Sequence, residues 1–89
     1  MNIEKFEELM SDSEVGGSLL SGLNDCNVFL GLKIMKKYIP SAGIEGAEHD
    51  VVYSVDIEEL IKAGISEEDV IMLNKLNWMV EDDYLACCV

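Results

Sequence analysis

The chain contains no arginine, one proline and one histidine, and 6 lysines stand against 18 acids. The resulting net charge is −12. A nucleic-acid binder needs cations to neutralise phosphates and usually arginine forks to read guanine. The shortage therefore argues against direct nucleic-acid binding. Docking on an anionic membrane surface is disfavoured for the same reason. A basic protein partner or a divalent cation is compatible with the charge. Long apolar runs are also missing. The longest, "NVFLGLKIM", is broken by Lys33 and is too short to span a bilayer. Cysteine is scarce and oddly placed: Cys26, Cys87 and Cys88 make an odd count, with two adjacent. That does not suit a secreted disulfide framework. The first residues, "MNIEKFEELM", read as an acidic amphipathic helix and not as a leader. The expectation is a cytoplasmic protein with reduced thiols.

What is present is apolar. Of 89 residues, 49% are hydrophobic, and mean hydropathy is +0.17. This length makes one domain, residues 1–89. A chain so short buries only about 60–65% of the surface its unfolded form exposes. Apolar content in excess of that core predicts a homodimer or larger assembly, or a protein partner. The charge is uneven. Residues 1–44 carry 6 acids and 4 lysines, whereas residues 45–89 carry 12 acids and 2 lysines.

The hydrophobic spacing predicts α+β architecture, with helices packed on a small antiparallel sheet of two to three strands. Ile3, Phe6, Leu9 and Met10 sit at helical spacing behind Asn2, a good N-cap residue. The Gly- and Ser-rich stretch from Ser11 to Asp25 reads as a loop. Residues 25–39 form a central helix with apolar stripes Val28-Leu32-Met35-Ile39 and Leu30-Ile34-Tyr38. The only polar stripe is Lys33, Lys36 and Lys37, so this helix should be buried over most of its circumference. Pro40 ends it, and "SAGIEGAE" is a connector. "DVVYSV" reads as a strand. Asp56 then starts a helix, with Glu59 at the box position and Val55/Leu60 as a hydrophobic staple. Gly64 ends it in Schellman fashion and Ser66 caps the next helix, across a short joint. Asn77 is a left-handed stop. "WMVEDDYLACCV" reads as a hairpin turning at residues 81–83. Leu85, Cys87 and Val89 fall on one face, and Tyr84, Ala86 and Cys88 on the other.

Several constellations invite chemistry. His49 lies between Glu48 and Asp50, ahead of the strand "DVVYSV". If that strand pairs with the last one, His49 and Asp50 could approach Cys87 or Cys88 as a base and nucleophile. The competing reading is a polar strand mouth beside cysteines that act as small hydrophobes. The three cysteines and His49 lack structural-zinc spacing, so no metal and no cofactor is expected. "LIKAGISEEDVIMLNKLNW" resembles the rhythm of helix-hairpin-helix DNA-binding modules, but "GIS" replaces their phosphate-presenting Gly-x-Gly and the surroundings are acidic. The acids clump at Glu58-Glu59, Glu67-Glu68-Asp69 and Glu81-Asp82-Asp83. Such display could mimic DNA and inhibit a nucleic-acid-binding host protein. Each clump also has a local explanation in a helix first turn or a hairpin turn. Trp78, Met79, Tyr84 and the C-terminal "LACCV", with Tyr53 and the acids Glu81, Asp82 and Asp83, have the make-up of a protein-binding patch. For Trp78 the competing reading is the plug of a small core.

The blocks "GLKIMKKYIP", "AEHDVVYS" and "AGISEEDVIMLNKLNWMVEDDYLACCV" together resemble a group of short bacteriophage and prophage proteins. The resemblance implies an accessory factor that binds a host protein, with no reaction to transfer. The leading expectation is a non-enzymatic protein-binding domain. The contrasting ones are a DNA mimic and a small enzyme using His49, Asp50 and Cys87 or Cys88.

Overall fold

A computed structural model describes residues 1–11, 24–48 and 51–88. The order of elements is α1 (Ile3–Met10), α2 (Asn24–Tyr38), β1 (Gly46–Glu48), β2 (Val51–Asp56), α3 (Ile57–Lys62), α4 (Glu67–Lys75), β3 (Trp78–Glu81) and β4 (Tyr84–Cys88). The architecture is α+β, as its periodicities imply. Most of the loop expected between Ser11 and Asp25 lies outside the described residues.

Local chemistry sets the helix ends. The Asn2 side chain accepts from the Lys5 amide at 2.8 Å, satisfying a donor that α1 cannot. Asp56 does the same for Glu58 at 2.7 Å, and Ser66 for Asp69 at 3.1 Å. The end of α3 is a Schellman motif. Gly64 has φ +90°, its amide donates to Ile61 O, and the Ile65 amide reaches back to Leu60 O. Asn77, with φ 67°, turns the chain out of α4 into β3.

The sheet is antiparallel, in the order β1-β2-β4-β3. It has four strands, not the two to three expected from sequence. The additional strand is β1, Gly46-Ala47-Glu48, which lies in the stretch expected to be a connector. None of its residues favours a strand intrinsically. Pairing with β2 decides its conformation, and the Glu45 amide extends the pairing by donating to Tyr53 O. The loop before it is tied down where Ser54 Oγ donates to Gly43 O at 2.6 Å.

The two sheet faces differ. Val52, Cys87 and Trp78 are aligned across three strands, and Leu85 pairs with Val80. These residues join Phe6, Leu9, Met10, Met35, Ile57, Leu60, Val70 and Leu73 in the core. Trp78 is the central plug. Its Nε1 donates to Asn27 O at 3.1 Å, and its ring lies against Gly31 of α2. The α2 line facing the core is thus Asn27-Gly31-Met35, spaced i, i+4, i+8. Met35 belongs to one expected apolar stripe, and the other members of both stripes pack partly buried beside it. Among residues 27–38 only Phe29, Lys33, Lys36 and Lys37 are exposed, so the helix is enclosed over most of its circumference as its pattern implies, with Phe29, 61% exposed, the exception. The glycine lets the helix backbone approach the indole, so the closest contact is made along one narrow line.

Candidate functional site

The second sheet face is built by alternation. Side chains next to each other in sequence on a strand point to opposite faces. With Val52, Cys87 and Trp78 turned to the helices, the neighbours Tyr53, Ala86 and Met79 form the row behind them. Val51 lies beside that row on β2, and Glu81 faces Tyr84 at the hairpin end. Gly46 pairs with Tyr53, and a Cβ placed on Gly46 would meet Tyr53 Cβ and Cδ2 at 4.0 Å. The Tyr53 side chain thus lies on the same face as the Gly46 position. Val51, Tyr53 and Met79 are partly buried and, among the described residues, stand outside the core cluster, with Met79 at the sheet edge lining a groove with Glu7, Met10 and Ser11. Ala86 is fully buried and also stands outside that cluster, between Tyr53 and Met79 in register. The sheet therefore carries a second apolar surface, separate from the one its helices cover.

Acids rim this surface. Glu48 pairs with Val51 at the β1 end, Glu81 ends β3, and Asp82 follows in the turn with φ 55°. Burial pushes the Tyr53 phenol above its ordinary value, and the charges of Glu48, Glu81 and Asp82 push it further the same way. Three carboxylates thus act on one ring. Asp83 contributes its backbone to the frame, its carbonyl accepting from the Ile57 amide at 2.9 Å. That bond ties the hairpin turn to the start of α3.

Tyr53, Tyr84, Glu81 and Asp82 are accordingly brought together on one side of the sheet. Trp78 is not. At 2% exposure on the opposite face it is the core plug, so it is withdrawn from the surface that sequence suggested. Met79 and Ala86 of the suggested apolar patch lie on this face; Val51 and Glu48 were missed. The alternation in "VVYSVD" contained the signal for Val51, but only the register shows which phase faces outward. Glu48 was missed because β1 was.

His49 and Asp50, the base and acid of the enzymatic alternative, lie outside the described residues. Cys87 is fully buried on the helix-facing side, opposite Val52 and Trp78. Enclosed there, it packs as a small hydrophobe. Cys88 pairs with Val51 in the ladder. Among the described residues no three His, Cys, Asp or Glu side chains gather as a metal site, and no helix is long and apolar enough to cross a membrane.

The other acid clumps have local partners. Glu58 and Glu59 lie in the first turn of α3, and Glu67, Glu68 and Asp69 in that of α4. Acids are favoured there by the helix dipole. Asp69 is also paired with Lys37 at 2.8 Å.

No known protein family, curated protein or solved structure matches the chain.

Proposed function

We propose that this is a small acidic, non-enzymatic accessory protein of the phage type that acts by binding another protein. The observation that carries the proposal is the second apolar surface of the sheet. Val51, Tyr53, Met79 and Ala86 form a patch that the described core does not use, with acids around it. An apolar centre with a polar rim is the usual anatomy of a protein interface. A contiguous patch of this kind on a small chain is costly unless something covers it. Tyr84, 43% exposed at its margin, extends the aromatic area.

The test is capture from bacterial lysate by tagged protein, with and without nuclease, comparing the unaltered chain with Met79→Glu. Met79 lies outside the core cluster, so the substitution should leave the fold intact. A stoichiometric partner held by the unaltered chain and lost by the variant supports the proposal. A partner held equally by both removes the sheet face from it. Capture that vanishes in the presence of added DNA would support the mimic instead.

A further inference from the structure

All six lysines lie on helices: Lys5 on α1, Lys33, Lys36 and Lys37 on α2, Lys62 on α3 and Lys75 on α4. The strands and the β3–β4 turn carry none. They do carry Glu48, Asp56, Glu81, Asp82 and Asp83. Among the described residues the second sheet surface is thus apolar in its centre, acidic at its rim and without a lysine of its own.

We infer that this surface takes a partner that presents an arginine or lysine side chain, which lies over the Tyr53 ring with Glu48, Glu81 and Asp82 as its counter-charges. The inference rests on the protein-binding proposal above and names the chemistry of the partner. A cation over a tyrosine face is attracted by the ring's quadrupole, and nearby carboxylates strengthen that attraction. Tyr84 is the diagonal neighbour of Tyr53 through Ala86, within reach of a long planar guanidinium. Charge selects this occupant over a second copy of the chain. Two such faces would bring their carboxylate rims together, and each chain already carries −12. Charge alone would not select the site, because the first turns of α3 and α4 are acidic too. They lack the aromatic and apolar floor.

The probe is the peptide acetyl-Val-Arg-Val-amide, with citrulline in place of arginine as its neutral counterpart. Each is titrated into the full chain and followed by amide NMR. The arginine peptide should move the resonances of Val51, Tyr53, Met79 and Ala86, and its own side-chain protons should shift upfield over the ring. The citrulline peptide should bind about ten-fold more weakly, as should the arginine peptide with Glu81→Gln/Asp82→Asn. Tyr53→Leu keeps the face apolar and should abolish the upfield shift. Should that variant fail to fold, the citrulline comparison on the unaltered chain decides. Equal perturbation of the α3 and α4 first turns would overturn the inference, as would equal binding of both peptides. Sedimentation showing a dimer that Met79→Glu dissociates would also overturn it. If Met79→Glu loses the captured partner while the arginine probe fails, protein binding stands and the cation falls. If capture is unaffected by that substitution and the probe fails, the sheet face is removed from the binding proposal and the cation falls with it.

Discussion

The hydroxyl of Tyr38, at the end of α2, donates to the carboxylate of Asp69 in the first turn of α4. The same hydroxyl accepts from the Ser66 amide at 3.3 Å, and Ser66 Oγ accepts from the Asp69 amide at 3.1 Å. Tyr38 thus completes from a distance the capping box that Ser66 and Asp69 begin. Lys37 adds an ion pair to the same oxygen at 2.8 Å. The cluster joins α2 to α4.

Partial burial works to raise the Asp69 pKa, but the hydrogen bonds from Lys37 and Tyr38, the Lys37 charge and the bond to Ser66 outweigh it, so the carboxyl lies below its ordinary value. A carboxyl depressed in the folded state stabilises fully above its unfolded pKa and loses that contribution as pH falls through the folded one. Stability should therefore decline on acidification below the ordinary carboxylate range, and Asp69→Asn should flatten that decline. Tyr38→Phe should cost about 1–2 kcal/mol at neutral pH, a hydrogen bond to a charged group being worth about 1.5–3 kcal/mol before solvent screening. Urea midpoints across pH for the two variants and their double variant give the coupling. Additive effects would mean that the Tyr38–Asp69 bond contributes nothing.

Gly31→Ala should destabilise the protein, although alanine is the better helix former by about 1 kcal/mol. The added Cβ would lie 1.9 Å from Trp78 Nε1 and 2.5 Å from Cε2, so the indole or the helix must shift. Trp78 is the core plug and its Nε1 is engaged with Asn27 O, so neither shift is easy. Overpacking of this kind costs about 1–3 kcal/mol. Near-ultraviolet circular dichroism reports the tryptophan, and a urea titration reports the loss. An unchanged or higher midpoint would mean that α2 does not approach the indole so closely.

Gly31 also marks where sequence ceases to be legible. The helices after β2 were readable to the residue, because Asp56, Gly64, Ser66 and Asn77 act on backbone groups within a few positions. The β3–β4 hairpin was readable for the same reason. The line of α2 that meets the indole was not. Its own pattern offers apolar stripes, whereas the closest contact uses a glycine niche whose partner, Trp78, is distant in sequence. Strand β1 was illegible because its residues have no strand preference and take the conformation from β2. The aromatic and acidic members of the candidate surface were legible as residue types. Their sorting into Tyr53 and Tyr84 outside and Trp78 inside depends on the phase of the β3–β4 and β2–β4 registers. The two aromatic readings of Trp78 differ by a one-residue shift in that phase.

Gly64→Ala should cost about 1 kcal/mol, since φ +90° at this position strains any L side chain. No atom lies within 4 Å of the added Cβ, so the effect is conformational and not steric. Asn77→Gly, at φ 67°, should be neutral within about 0.5 kcal/mol, because glycine adopts this region freely but raises the entropy of the unfolded chain. Thermal unfolding of both variants checks the pair. A Gly64→Ala variant as stable as the parent would contradict the left-handed cap.

Tyr53 should be the informative phenol in an alkaline titration. Burial first, and then Glu48, Glu81 and Asp82, hold its pKa above the ordinary tyrosine value. Neutralising the rim by Glu48→Gln/Glu81→Gln should move the Tyr53 phenolate transition to lower pH without restoring it fully, since burial remains. The sign follows from charge: carboxylates disfavour a second anion beside them. Added salt should act in the same direction on the unaltered chain and weakly on the neutralised one, because exposed charges are screened. Ring-labelled tyrosine separates Tyr53 from Tyr38 and Tyr84 by NMR. If the rim substitutions leave the Tyr53 transition in place, the carboxylates do not converge on the ring. The surface would then lose the electrostatic feature that distinguishes it from the acidic first turns of α3 and α4, and a basic partner would have no reason to choose the sheet.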